Sequence, residues 1–174
     1  MWLAFLLLAA AHAEPMDARY TGSAVLDVDG VALHVDGDTL RRGEEVLARR
    51  LLAAPVTDGR SVCAADEADD GLGRLRCWTG PAATTLMIGG RPTRLAMAEG
   101  HVAWVASVDG LPKIFVAPAD GGEAPRPLTN IGLRHAPGGP PAGFVPPPLR
   151  GPPRFDGAWL RWDAQDGAHA VRWR

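Results

Sequence analysis

Few residues in this chain could do chemistry. The histidines beyond the first dozen residues are His34, His101, His135 and His169, and none forms an HxH or HExxH pair able to share a zinc ion. The serines Ser23, Ser61 and Ser107 stand in no Gly-x-Ser-x-Gly elbow. Acids gather once, at Asp66-Glu67 and Asp69-Asp70 before Gly71. Such a density of hard oxygens suits Ca²⁺, which makes Asp66, Asp69 and Asp70 weak candidate ligands. The run lacks the alternation of an EF-hand loop, and a solvated hairpin tip explains it better. Asp27, Asp29, Asp36 and Asp38 fit the positive-φ corners of tight turns. No catalytic residue, metal or cofactor is expected.

The remaining reactive pair is Cys63 and Cys77. An even cysteine count in an exported chain permits one disulfide. The Asp- and Gly-rich stretch Ala65–Gly73 between them reads as a hairpin loop, which would set the two sulfurs opposite each other on antiparallel strands. A bridge closing a loop of this length contributes about 3 kcal/mol. No further cysteine or nearby histidine completes a metal site.

The elements that hold these residues follow from composition and pattern. The chain has 174 residues, of which 47% are apolar and 22% charged, with a net charge of −2. That suffices for a core in one domain and provides no concentrated basic face for nucleic acid. Glycine (21) and proline (16) are too abundant for a helix bundle and favour a turn-rich β protein. Met1–Ala13 joins an unbroken apolar run, Trp2–Ala11, to the small-x-small triplet Ala11-His12-Ala13. It reads as a secretory signal cleaved after Ala13, although no Lys or Arg precedes the run. The run is too short to remain as a membrane anchor. The mature chain, residues 14–174, is expected to be periplasmic or secreted, with no membrane insertion.

The mature chain repeats itself. In Met97–Asn130, Glu99-Gly100 precedes an alternating strand His101–Ala106, a turn at Val108-Asp109-Gly110, a strand Lys113–Val116, a turn at Ala119–Gly122 and a short strand ending Arg126–Thr129. Asp156-Gly157 precedes Ala158–Trp162 in the same way, and Gly100 to Ile114 matches Gly157 to Val171 at 14 positions, so the hairpin register is expected to repeat. Weaker copies start at Asp58-Gly59 and Asp29-Gly30, and Gly89–Leu95 parallels Gly121–Leu128. The last gap is widened by Pro137–Pro153, which holds 8 of the 16 prolines and reads as an extended surface insertion. Trp78, Trp104, Trp159, Trp162 and Trp173 all fall in expected strands, and at least three should pack between units.

The unit Met97–Asn130 resembles the TolB-type β-propeller repeat. The family's closing Gly-Gly-Glu-x-x-Arg-Leu-Thr appears as Gly121-Gly122-Glu123-Ala124-Pro125-Arg126-Pro127-Leu128-Thr129, with one extra proline, and Phe155–Leu160 is similar to its strand entry. The resemblance is good over that unit, moderate in Val56–Ala96 and Arg154–Arg174, and poor before Asp58. It implies an all-β fold, a small or incomplete β-propeller built from about four short antiparallel sheets. At about 40 residues per blade the mature chain supplies four. Tyr20–Val28 is the candidate strand to complete the last blade in a closed ring; an incomplete ring, or one closed by dimerisation, is the alternative. The resemblance further implies a non-enzymatic module that binds an envelope or periplasmic protein through its loop face or axial opening. A small secreted hydrolase or lyase on a propeller scaffold, and a truncated remnant of a longer propeller, are the competing readings.

Overall fold

A computed structural model describes residues 19–108, 111–129, 149–164 and 167–173. Their regular structure is all β, in four antiparallel sheets taken in chain order. The first sheet contains β1 (Gly22–Val28), β2 (Val31–Gly37), β3 (Thr39–Arg42) and β4 (Glu45–Ala48). The second contains β5 (Val56–Thr57), β6 (Val62–Glu67), β7 (Gly73–Trp78) and β8 (Ala83–Ile88). The third contains β9 (Thr93–Ala98), β10 (His101–Val108), β11 (Leu111–Pro118) and β12 (Arg126–Pro127). The last contains β13 (Arg154–Asp156), β14 (Trp159–Ala164) and β15 (Gly167–Arg172). The first strands β1, β5, β9 and β13 lie beside one another in turn, and no sheet closes into a barrel. This is a small, incomplete propeller-like fold.

The acid-Gly motif is a turn inside each sheet rather than its start. Asp29 and Gly30 take φ of 51° and 77° between the paired residues Val28 and Val31. Glu99 and Gly100 take 49° and 72° between Ala98 and His101. Two successive positive-φ residues make the type I′ turn whose twist suits a hairpin. Each sheet therefore begins one strand earlier than the repeat suggested. Gly89–Leu95 does not close the second sheet: Thr93–Ala98 opens the third, and Ala83–Ile88 is the last strand of the second. Tyr20–Val28 likewise does not complete the last blade: β1 is an edge strand of the first sheet, paired with β2, and the last sheet is made of β13, β14 and β15.

The repeated spacing of 14 also hides a shift. Ile114 pairs with Val105, five residues after Gly100, whereas Val171 pairs with Leu160, three residues after Gly157. The β14–β15 turn falls one position earlier in its repeat, so Gly167 is paired in a strand.

Side chains alternate between neighbouring sheets, as strand geometry requires. On β6, Val62 and Ala64 join Leu33, Val35, Leu40 and Leu47 of the first sheet, while Cys63 and Ala65 join Val102, Trp104 and Ala106 of the third. On β10, Ala103 and Val105 turn the other way and join Leu160 and Trp173. Both middle sheets are buried on two faces, which explains why no unit stands alone. The end faces are mostly polar, with Val25 and Trp159 exposed among the polar side chains. Ser23, Asp27, His34 and Asp36 are exposed on the first sheet. On the last, Arg161 pairs with Asp156 and Arg154 with Asp163, each at 2.7 Å. Among the described residues no buried apolar cluster joins the last sheet to the first.

Each interface holds one buried tryptophan: Trp78, Trp104 and Trp173. Trp159 instead is 46% exposed, and Trp173 lies just past the end of β15. Most of the proline-rich segment and the whole of Met1–Ala13 lie outside the described residues. The described end of the segment is not a free surface loop. Leu149 bridges to Ala164, Arg150 N–H donates to Asp163 O at 2.8 Å, and Pro153 is fully buried.

Candidate functional site

The interface between the first two sheets opens at both ends, and most of the chemically capable side chains lie there. Cys63 and Cys77 sit on the other face of the second sheet. They are directly opposed on β6 and β7, joined by a disulfide with a Cα–Cα distance of 4.1 Å, and fully buried against the third sheet. The strands run longer than expected and leave only residues 68–72 as the connecting loop.

The longer strands split the acidic run. Asp66 lies within β6, 1% exposed, rather than on a solvated tip. Its carboxylate receives Arg74 at 2.9 Å and also Arg76, whose positions on β7 face Asp66 and Ala64. A buried carboxylate holding two guanidiniums is a structural triad, and removing the acid leaves two part-buried cations uncompensated. Asp69 is exposed and paired with Arg50, and Asp70 Oδ1 accepts the Leu72 N–H at 2.9 Å. The three carboxylates thus share no partner. Among the described residues no group of three or more His, Cys, Asp or Glu side chains converges as a metal site would.

Around Asp66 the two sheets leave a polar cleft of about 360 Å³, lined by Arg50, Glu67, Arg74 and Arg76. Glu67 is approached by Arg19 (3.2 Å), Arg91 (3.6 Å) and Arg50 (3.7 Å). Five guanidiniums therefore share the carboxylates of Asp66, Glu67 and Asp69. Arg76 is fully engaged, since it also donates to Leu47 O at 2.9 Å and lies 5.1 Å from the Trp78 ring centre. Arg74 is not: its Nε is buried without a hydrogen-bond partner. Leaving such a donor unmet costs about 1–3 kcal/mol.

At the other end a smaller pocket of about 190 Å³ is lined by Val28, Val31, Leu33, Val62 and Trp78, with Arg42 and Arg60 beside them. Its rim comes from the β1–β2 turn, the β5–β6 turn and Thr79-Gly80 after β7. Val31 there is 47% exposed.

The described histidines are dispersed. His34 is exposed on the outer face of the first sheet. The His101 ring lies 4.6 Å from Trp173, and His169 stacks on Trp162 at 5.5 Å. His135 lies outside the described residues. Compared with protein-family models and with curated proteins, the chain matches none.

Sequence reasoning missed the arginine cleft. The signal was present in Arg74-Leu75-Arg76, whose period-2 spacing places both cations on one strand face. The acids and glycines that follow Asp66 mask its place on the strand opposite them. Arg50 could not have been found from spacing, since it arrives from the segment after β4 in another sheet.

Proposed function

We propose that this protein is an exported, non-enzymatic binding module of the cell envelope, and that a partner protein there inserts an apolar side chain into the Trp78 pocket. The observation that carries this reading is the position of that pocket. An apolar recess on a loop rim is where a stacked-sheet scaffold presents its most variable chain, and such recesses anchor partner side chains. Arg60 suits a partner segment with a carboxylate near the inserted residue, whereas Arg42 is held by Glu45 at 2.8 Å.

The setting rests on compatible observations. The buried Cys63–Cys77 disulfide belongs to oxidising compartments. Among the described residues no helix is long and apolar enough to cross a membrane. The resemblance of Met97–Asn130 to the TolB-type repeat supplies the envelope partner class.

The test places a photo-crosslinking residue at Val31 of the exported chain. One envelope protein should be captured there and lost on Arg60→Glu. Capture from His34 on the outer sheet face, with none from Val31, would refute the pocket as the docking point.

A further inference from the structure

We propose that the arginine cleft between the first two sheets is a second binding site, one that takes an oxyanion: a phosphate or carboxylate group held by Arg74 and Arg50. Three observations converge on it. The cleft is lined by Arg49, Arg50, Arg74 and Arg76 against Asp66, Glu67 and Asp69, so one cation is unmatched from within. Arg74 lines the cleft, and its Nε is a buried donor with no acceptor. The space of about 360 Å³ is ample for such a group.

The surrounding contacts preorganise the donors. Asp66, buried in β6, fixes the Arg74 guanidinium through Nη2 at 2.9 Å and leaves Nε unused. Arg76 shares the same carboxylate and is anchored to Leu47 O at 2.9 Å, so it acts as frame rather than ligand. Arg50 reaches the cleft from the first sheet side and is held by Asp69 and by Ala68 O at 3.4 Å. The Nε–H lies on the same guanidinium edge as the pinned Nη2, so it offers an oxyanion one further charge-assisted hydrogen bond beside Asp66. The site shares Leu47 with the Trp78 pocket at the other end of the same interface, but neither Arg50 nor Arg74 lines that pocket.

The test is a titration of the full mature chain with inorganic phosphate and, separately, with succinate, at ionic strength held constant with sodium chloride. The readout is the arginine Nε–H resonances in ¹H–¹⁵N spectra. Saturable shifts of the Arg74 and Arg50 Nε–H resonances are expected; binding read at Arg50 should weaken about tenfold or more in Arg74→Gln, and binding read at Arg74 should weaken in Arg50→Gln. Tighter binding of phosphate assigns a phosphate group, and tighter binding of succinate a carboxylate. Arg161→Gln, on the outer face of the last sheet, should bind like the parent. Should Arg74→Gln fail to fold, Arg50→Gln decides. Shifts that do not saturate with either anion, or that persist unchanged in the folded variants, overturn the proposal.

Discussion

Asp58 Oδ2 accepts the backbone N–H of Gly100 at 2.6 Å, so the acid of one repeat motif is bonded to the glycine of the next. Its other oxygen accepts Arg60 N–H at 3.0 Å and Ser61 N–H at 2.9 Å. One sheet earlier, Asp29 N–H donates to Gly59 O at 2.8 Å. The turns of three successive sheets are thereby tied together at one end of the stack. The motif that repeats along the chain shapes its hairpins and also joins neighbouring sheets.

Acid should loosen this tie. Burial alone would raise the Asp58 pKa, but the N–H groups of Gly100, Arg60 and Ser61 outweigh it and hold it below its ordinary 3.8. A carboxylate with a depressed folded pKa contributes stability above its unfolded value and loses it as pH falls through the folded one. Asp58→Asn should therefore lose less stability than the parent below about pH 4. At neutral pH, Asp58→Ala should cost about 1–2 kcal/mol, read from urea unfolding. Parallel acid limbs for Asp58→Asn and parent would contradict this.

The disulfide should matter to the fold and not to chemistry. Replacing Cys63 and Cys77 by alanine is expected to lower unfolding stability by about 3 kcal/mol. Equal denaturation midpoints with and without reductant would show that the bridge contributes nothing.

The tryptophans should separate sharply. Trp104 is fully buried, stacked on Phe115 at 5.5 Å, with its Nε1 donating to Met87 Sδ at 3.1 Å. Trp104→Ala should cost about 3–5 kcal/mol. Trp159→Ala, at an exposed position, should stay within about 0.5 kcal/mol. Thermal unfolding of the two variants provides the comparison.

The acids of the 66–70 run should separate as clearly. Asp66→Ala strands Arg74 and Arg76 and should cost about 3–5 kcal/mol. Asp69→Ala breaks only an exposed pair with Arg50, worth about 0–1 kcal/mol. Equal losses would mean that Asp66 is not buried as described.

Much of the fold was legible because its signals are local. Alternation in His101–Ala106 and Ala158–Trp162 marks strands, and the cysteines of Val62–Cys63 and Arg76–Cys77 report their own pairing. The boundaries between sheets were not legible. An acid-Gly pair marks a tight turn equally well whether it starts a sheet or lies within one, and only the pairing of Val28 with Val31 decides. The arginine cleft was hidden for a different reason. Arg50 and Arg74 come from different sheets, and nothing in either segment encodes how those sheets stack.

The central claim is that the four sheets pack in chain order with one tryptophan at each interface. Nuclear Overhauser contacts from the three buried indoles of the mature chain test it most directly. The account predicts contacts from Trp78 to Leu33 and Leu47, from Trp104 to Met87, and from Trp173 to His101. Contacts from Trp173 to Leu33 or Leu47, or a Trp104 indole without any to Met87, would contradict it.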